Sequence, residues 1–172
     1  AEAMHPSSYF AKVFKKAQEY ELNITIHGGE ATGSEEVMMA LDNGAMRIGH
    51  GVHLSLDNDT VARVIDNQTC FEFCPLSNLQ TKSLKHYEDV PLRQFMDRGI
   101  AVTINSDNMT VSNTDCIKEM KTMVKTFNLT KEEVTKLISN SIKYSFADND
   151  VQERLYQLMN ERIDAFYESL TK

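Results

Sequence analysis

Two histidines, a glutamate and an aspartate in this sequence have the types and spacing that could do hydrolytic chemistry. His27 and Glu30 flank a pair of glycines, His50 lies 23 residues past His27, and Asp107, within the triplet Ser106-Asp107-Asn108, lies 57 residues past His50. The run CPLSN, Cys74 to Asn78, falls between them. Two imidazoles, one carboxylate and a further acid are what a hydrolytic zinc site needs. Taken singly, each residue has an ordinary reading. A histidine at a strand end is usually a hydrogen-bonded structural residue, Asp107 serves equally as a helix cap or turn former, and Glu30 beside Gly28 and Gly29 reads as a solvated loop residue. The functional reading rests on where the four fall together.

That placement comes from the rhythm of the chain. From residue 5 to about residue 145, short β-branched runs alternate with segments of helical period. The first helix is expected from about Ser7 to Tyr20, with Tyr9, Phe10, Val13, Phe14 and Ala17 one turn apart and Ser7 or Ser8 as its cap. A strand through Leu22, Ile24 and Ile26 to His27 follows, then the flexible GGEATG, then a helix opening at Ser34 and closed by Gly44. Further strands are predicted at Met46–Gly49, Cys70–Phe73 and Ile100–Ile104, with a helix over roughly Pro91–Arg98 stopped by Gly99. Thr130 and Glu133 form a capping box, and Val151, Leu155, Leu158 or Met159, and Phe166 continue an amphipathic stripe to the end.

Strands separated by roughly 25 residues of helix imply parallel pairing through crossovers, in a doubly wound sheet or part of a (β/α)₈ barrel. Neither G-x-G-x-x-G nor G-x-x-x-x-G-K-[ST] occurs, so a nucleotide-binding open sheet has no direct support. In a parallel barrel, the C-terminal strand ends meet on one face, and every polar group singled out above follows a strand.

Composition narrows the partners. The 172 residues carry 18 Lys+Arg against 25 Asp+Glu, a formal charge of −7, with no basic run longer than a pair. A nucleic-acid binder needs clustered cations, so that class is disfavoured, as is an anionic lipid surface. At 41% hydrophobic and 25% charged the chain is an ordinary globular sequence of one domain's length. There is neither a membrane span nor the basic-then-apolar pattern of a signal peptide, and a soluble cytoplasmic protein is the expectation. Cys70, Cys74 and Cys116 do not suggest disulfides, and Cys70 and Cys74 read as buried apolar thiols and not zinc ligands. His53 reads as structural, His86 as exposed and the nine methionines as helix packing.

The segments HPSS from His5, HGGE from His27, RIGHG from Arg47, CPLSNLQT from Cys74 and INSDN from Ile104, in that order and spacing, closely resemble the adenosine deaminase family of purine deaminases. The resemblance covers nearly the whole chain but only the family's second half. It implies the C-terminal half of a (β/α)₈ TIM-type barrel, a single-domain fragment over 1–172 with extra C-terminal helices, whose missing N-terminal half is its partner.

The resemblance also implies roles. His27 and Asp107 match zinc ligands, Glu30 the proton donor to purine N1, and His50 the residue that orients or deprotonates the attacking water. Asn108 matches the substrate contact to purine N7. Many members have a second aspartate there, but an amide NH₂ donates to N7 without an unusual protonation state. Ser77 and Asn78 are expected to buttress the site. Two more ligands come, in the family, from a His-x-His pair. No two of His5, His27, His50, His53 and His86 are two positions apart, so this chain alone is expected to bind zinc weakly and to be inactive. The H-x-E and P-C-x-x-C pattern of the other zinc deaminases is missing. The expected reaction of the whole protein is zinc-dependent conversion of adenosine or deoxyadenosine to the inosine product and ammonia. The alternatives are an adenine or modified-adenine deaminase of the same superfamily, and a non-catalytic binding or assembly module.

Overall fold

The computed structural model describes residues 2–171. Single 3₁₀ turns at Glu2–Met4 and Ser7–Phe10 lead into helix α1 (Ala11–Glu19). Then come β1 (Thr25–Gly28), α2 (Ser34–Asp42), β2 (Arg47–His50), α3 (Asn58–Asp66), β3 (Cys70–Phe73) and α4 (Pro75–Gln80). They are followed by α5 (Leu92–Asp97), β4 (Ala101–Ile104), α6 (Met109–Ser112), α7 (Cys116–Phe127), α8 (Lys131–Lys143) and α9 (Asn149–Thr171). The strands form one parallel sheet in the order β1-β2-β3-β4, so the expected α/β class holds and β1 and β4 are its outer strands.

Four helix-to-strand turns share one construction. After α1, Glu21 N–H donates to the Gln18 carbonyl and Leu22 N–H to the Ala17 carbonyl; the same two bonds recur at Gly44 and Ala45, Gln68 and Thr69, and Gly99 and Ile100. Each is a Schellman ending whose first residue beyond the cap is left-handed: φ is 54° at Glu21, 81° at Gly44, 51° at Gln68 and 74° at Gly99. This explains one correction. Leu22 belongs to the helix ending and is exposed, so β1 begins at Thr25 and not near Leu22. Neither Ser7 nor Ser8 caps α1, because the Ser7–Phe10 turn intervenes and the cap position falls to Phe10.

The chain divides into two compact units. The first comprises residues 1–73 and 91–102. Its core is built on Val37, Ile48, Val64 and a trio of rings in which Phe95 meets Phe71 and Phe73 edge-on at 5.1 and 5.0 Å. On the opposite face of the strands, Glu72 accepts from the Thr25 hydroxyl at 3.0 Å and pairs with Arg47 at 3.4 Å, a polar ladder across β1, β2 and β3. In this unit α1 contributes no buried residue, and Tyr9, Phe10 and Val13 are exposed.

The second unit comprises residues 74–90 and 103–172. Its core gathers Met123, Val134, Leu137 and Leu170 from α7, α8 and α9, with Leu129 from the turn between α7 and α8. The predicted capping box is present, with Glu133 N–H donating to Thr130 Oγ1 at 3.3 Å and Thr130 N–H to Glu133 at 2.8 Å. Between α8 and α9 lies an open apolar cavity of about 380 Å³ lined by Ile138, Ile142, Leu158, Ile163 and Phe166 among others.

Further expectations meet the structure in part. Ile26, Val102 and Ile104 on the outer strands, and Ile24 just before β1, are all buried. Cys70 and Cys74 are buried free thiols, whereas Cys116 is exposed. Met120 and Met123 pack in the core, but Met4, Met46 and Met109 lie on the surface. His86 is exposed as expected, and so is His53. No described helix is long and apolar enough to cross a membrane.

Candidate active site

The parallel register sets the first part of the site. His27 on β1 lies opposite Gly49 on β2, and Gly28 opposite His50. Strand alternation would therefore send the His27 and His50 side chains to opposite faces of the sheet. They meet nonetheless, edge to face with ring centroids 4.7 Å apart. His50 ends its strand with φ 68°, and that left-handed turn breaks the alternation and redirects the ring. Gly51 follows with φ 69°, and a Cβ there would collide with the Phe71 ring, so the turn demands glycine.

Glu30 stands between the two imidazoles. Its carboxylate lies 3.7 Å from His27 Nε2 through one oxygen and 3.7 Å from His50 Nδ1 through the other. The His50 side chain is nearly buried, Glu30 is 13% exposed and His27 is half exposed at 49%. Both distances are longer than a hydrogen bond, so these are ion-pair contacts, and a carboxyl group set between two imidazoles, one open to solvent and one enclosed, is placed to act as a general acid or base. The donor atoms of His27, Glu30 and His50 all fall within 4.8 Å of one another. Imidazole and carboxylate, the donor types of His27 and Asp107, are ones zinc accepts, so these residues fit that ion.

A fourth group, absent from the sequence reading, completes this part. Glu2 is buried, and its carboxylate accepts from the backbone N–H groups of Gly29, Glu30, Ala31 and Thr32 at 2.8 to 3.2 Å, from the Thr32 hydroxyl, and from His27 Nε2 at 3.0 Å. Burial pushes its acidity down, but the Thr32 hydroxyl and the backbone donors outweigh it and hold the carboxyl at about 2. No periodicity marks such a residue. The available signal was on the other side: consecutive amides ahead of a helix that opens after Gly33, without a side-chain cap, need an acceptor from somewhere.

Asp107 and Asn108 follow β4 in the second unit. Ser77, buried on α4, donates its hydroxyl to Asp107 Oδ2 at 2.6 Å, the buttressing role expected of it. Asp107 itself is exposed and left-handed, with φ 51°. Asn108 caps α6, its Oδ1 accepting from Val111 N–H at 2.9 Å. That bond commits the amide oxygen and leaves the NH₂ end as the donor. The structure thus brings together His27, Glu30 and His50, and separately joins Asp107 to Ser77.

A family profile described as adenosine deaminase matches residues 1–162. The chain is 40% identical over 163 residues to an adenosine deaminase of Haemophilus ducreyi, which covers 94% of this chain and 47% of that protein. It is 39% identical over 161 residues to an adenosine deaminase of Clostridium botulinum, covering 93% of this chain and 48% of that protein. The chain thus spans about half the length of the curated relatives it matches. Among solved structures, an adenine deaminase from Arthrobacter aurescens superposes with a TM-score of 0.85 at 28% identity, over 100% of this chain and 51% of that one. A Burkholderia amidohydrolase described with bound Zn superposes with a TM-score of 0.81 at 20% identity, over 96% of this chain and 47% of that one, and bears on the fold alone. Such neighbours are TIM-type barrels, of which the four strands here correspond to about half. The chain belongs to the adenosine deaminase family.

Proposed function

We propose that the protein completed around this chain hydrolyses adenosine or deoxyadenosine to inosine or deoxyinosine and ammonia, with zinc as its metal. The observation that carries this reading is Glu30 held between two imidazoles at 3.7 Å from each. Glu30, as the acid, protonates N1 of the purine and makes C6 electrophilic. His50, enclosed beside it, takes a proton from the water that adds to C6 and passes it to the C6 amino group, which leaves as ammonia as the C6–N bond breaks; the C6 hydroxyl returns a proton to Glu30 as the carbonyl forms. Asn108 donates from its amide NH₂ to N7. Within this chain, His27 and Asp107 are the residues that would hold zinc, with Ser77 fixing one oxygen of Asp107. Zinc, when bound, supplies Lewis acidity that yields a nucleophile from water near neutral pH.

The rest of the site comes from a partner half. Two ligands are fewer than the four positions of a zinc site, and the relatives are about twice as long. Exposed Tyr9, Phe10 and Val13 on and before α1 support the same reading, since an amphipathic helix ordinarily buries its apolar stripe. The test is to measure zinc content and conversion of adenosine to inosine for the chain alone and after adding the N-terminal half of the barrel. The expected result is weak zinc binding and no turnover alone, and both restored on addition. A lone chain with stoichiometric zinc and turnover would overturn the half-barrel reading, and a completed barrel that binds no zinc would favour an assembly module.

The 28% identical adenine deaminase favours a second reading, in which the free base is the substrate. Comparing kcat/KM on adenosine, adenine and N6-substituted adenine separates the two.

A further inference from the structure

The buried carboxylate of Glu2 takes no part in the reaction proposed above, yet it accepts hydrogen bonds along the whole Glu30 loop. Oε1 accepts from Gly29 N–H at 2.8 Å, from Thr32 N–H at 3.2 Å and from the Thr32 hydroxyl. Oε2 accepts from Glu30 N–H and Ala31 N–H, both at 3.1 Å, and from His27 Nε2 at 3.0 Å. Four consecutive amides thus converge on one carboxylate, a nest closed by an anion from 27 to 30 residues away.

The segment that carries Glu2 is fastened a second time. Ser7 N–H donates at 2.6 Å to Glu36, a buried residue in the first turn of α2. The stretch from Glu2 to Ser7 therefore bridges the loop before α2 and the start of α2 itself, with Glu30 between the two fastenings. Without Glu2, the buried Gly29 amide and the part-buried amides of Glu30, Ala31 and Thr32 would lose this acceptor, and the loop would be free to choose another path.

We infer that Glu2 is a positioning residue: seated on the amides of residues 29–32, its carboxylate fixes the backbone of Glu30 so that the Glu30 side chain reaches both His27 and His50. The inference rests on the proposed role of Glu30 as proton donor, and its test has one arm that does not need that role.

In the first arm, amide hydrogen exchange is followed in this chain for wild type, Glu2→Gln and Glu2→Ala. Exchange at residues 29–32 should quicken by about tenfold or more in the variants while the amides of β3 and α8 hold their rates. Acetate at tens of millimolar should slow it again in Glu2→Ala by refilling the nest. Unchanged exchange at residues 29–32, or a uniform quickening over the whole chain, overturns the inference. Glu2→Gln keeps the side chain's shape and one acceptor oxygen, so it decides the matter if Glu2→Ala fails to fold.

In the second arm, the completed barrel is assayed on adenosine. Glu2→Ala should lower kcat by about tenfold or more with KM within about threefold, since misplacing the acid forfeits part of the roughly 10²–10⁴-fold it supplies. Acetate should restore part of that loss, which a general structural defect would not allow. A folded Glu2→Ala protein with wild-type kcat, or a loss that acetate leaves untouched, overturns the inference. If the wild-type barrel deaminates nothing, the proposed function fails, while the exchange arm still decides whether Glu2 holds the loop.

Discussion

The loop after β1 and the helix pair α8–α9 are held in place by opposite means. In the loop, one buried carboxylate gathers four backbone amides, and Glu30 hangs from a backbone that forms neither helix nor strand. In the pair, Val134, Leu137 and Ile142 of α8 are buried, and polar contacts such as Lys131–Asp164 at 2.8 Å lie on the outside. The loop is specified by hydrogen bonds that fix direction, the pair by burial that fixes only which face is inward. Substitutions should therefore separate chemistry from stability.

The largest expected effect is Glu30→Gln in the completed barrel. The amide cannot donate the proton, so kcat should drop by roughly 10²–10⁴-fold while zinc content and melting temperature hold. Zinc loss with normal turnover per bound ion would instead make Glu30 a ligand together with His27 and His50. Next is Leu137→Ala in α8, which empties a fully buried position and should cost about 2–5 kcal/mol of folding free energy in urea unfolding. A cost below about 1 kcal/mol would mean that the open cavity beside α8 lets the helices close over the gap.

Thr130→Ala removes one half of the capping box and should cost about 1 kcal/mol, read in the same experiment. The smallest effect is one of pH. Asp57 caps α3 from the surface, and hydrogen bonds from the Thr60 backbone and hydroxyl, then Ser55, lower its carboxyl to about 2. Its folded value lies below the unfolded one near ~3.9, so its contribution is complete above that value and disappears as pH falls through about 2. Asp57→Asn, which still caps, should flatten that window of the stability profile and leave neutral pH unchanged. A profile identical to wild type between about pH 4 and 2 would show that the cap is not charge-dependent.

How much of this was legible in the sequence follows the same division. β3 was found to the residue because CFEF is a short apolar run, and the Thr130 box because its two partners are three apart. The helix endings at Gly44 and Gly99 were read because glycine advertises a left-handed position. The identical endings at Glu21 and Gln68 carry side chains that do not, and so β1 was started three residues early at Leu22. His27, Glu30 and His50 were found from their place after strands, although the left-handed turn that brings the two rings together has no signature in the residue types. Glu2 was missed because its partners are backbone groups, which look alike in any sequence. The stripe of α1 was read correctly as a pattern, but burial depends on a partner, and among the described residues α1 buries none.

Four of the left-handed residues fall into two kinds with different evolutionary prospects. Glu21 and Gln68 sit in helix endings where glycine is the ordinary occupant, so glycine there should relieve strain at no cost to the reaction. His50 and Asp107 have the same backbone handedness, yet the proposed chemistry requires their side chains. A laboratory selection for thermostability alone should therefore drift toward glycine at all four positions. Adding a requirement for purine turnover should hold His50 and Asp107 in place while Glu21 and Gln68 are released, so that the two kinds of position are sorted by selection without reference to the structure.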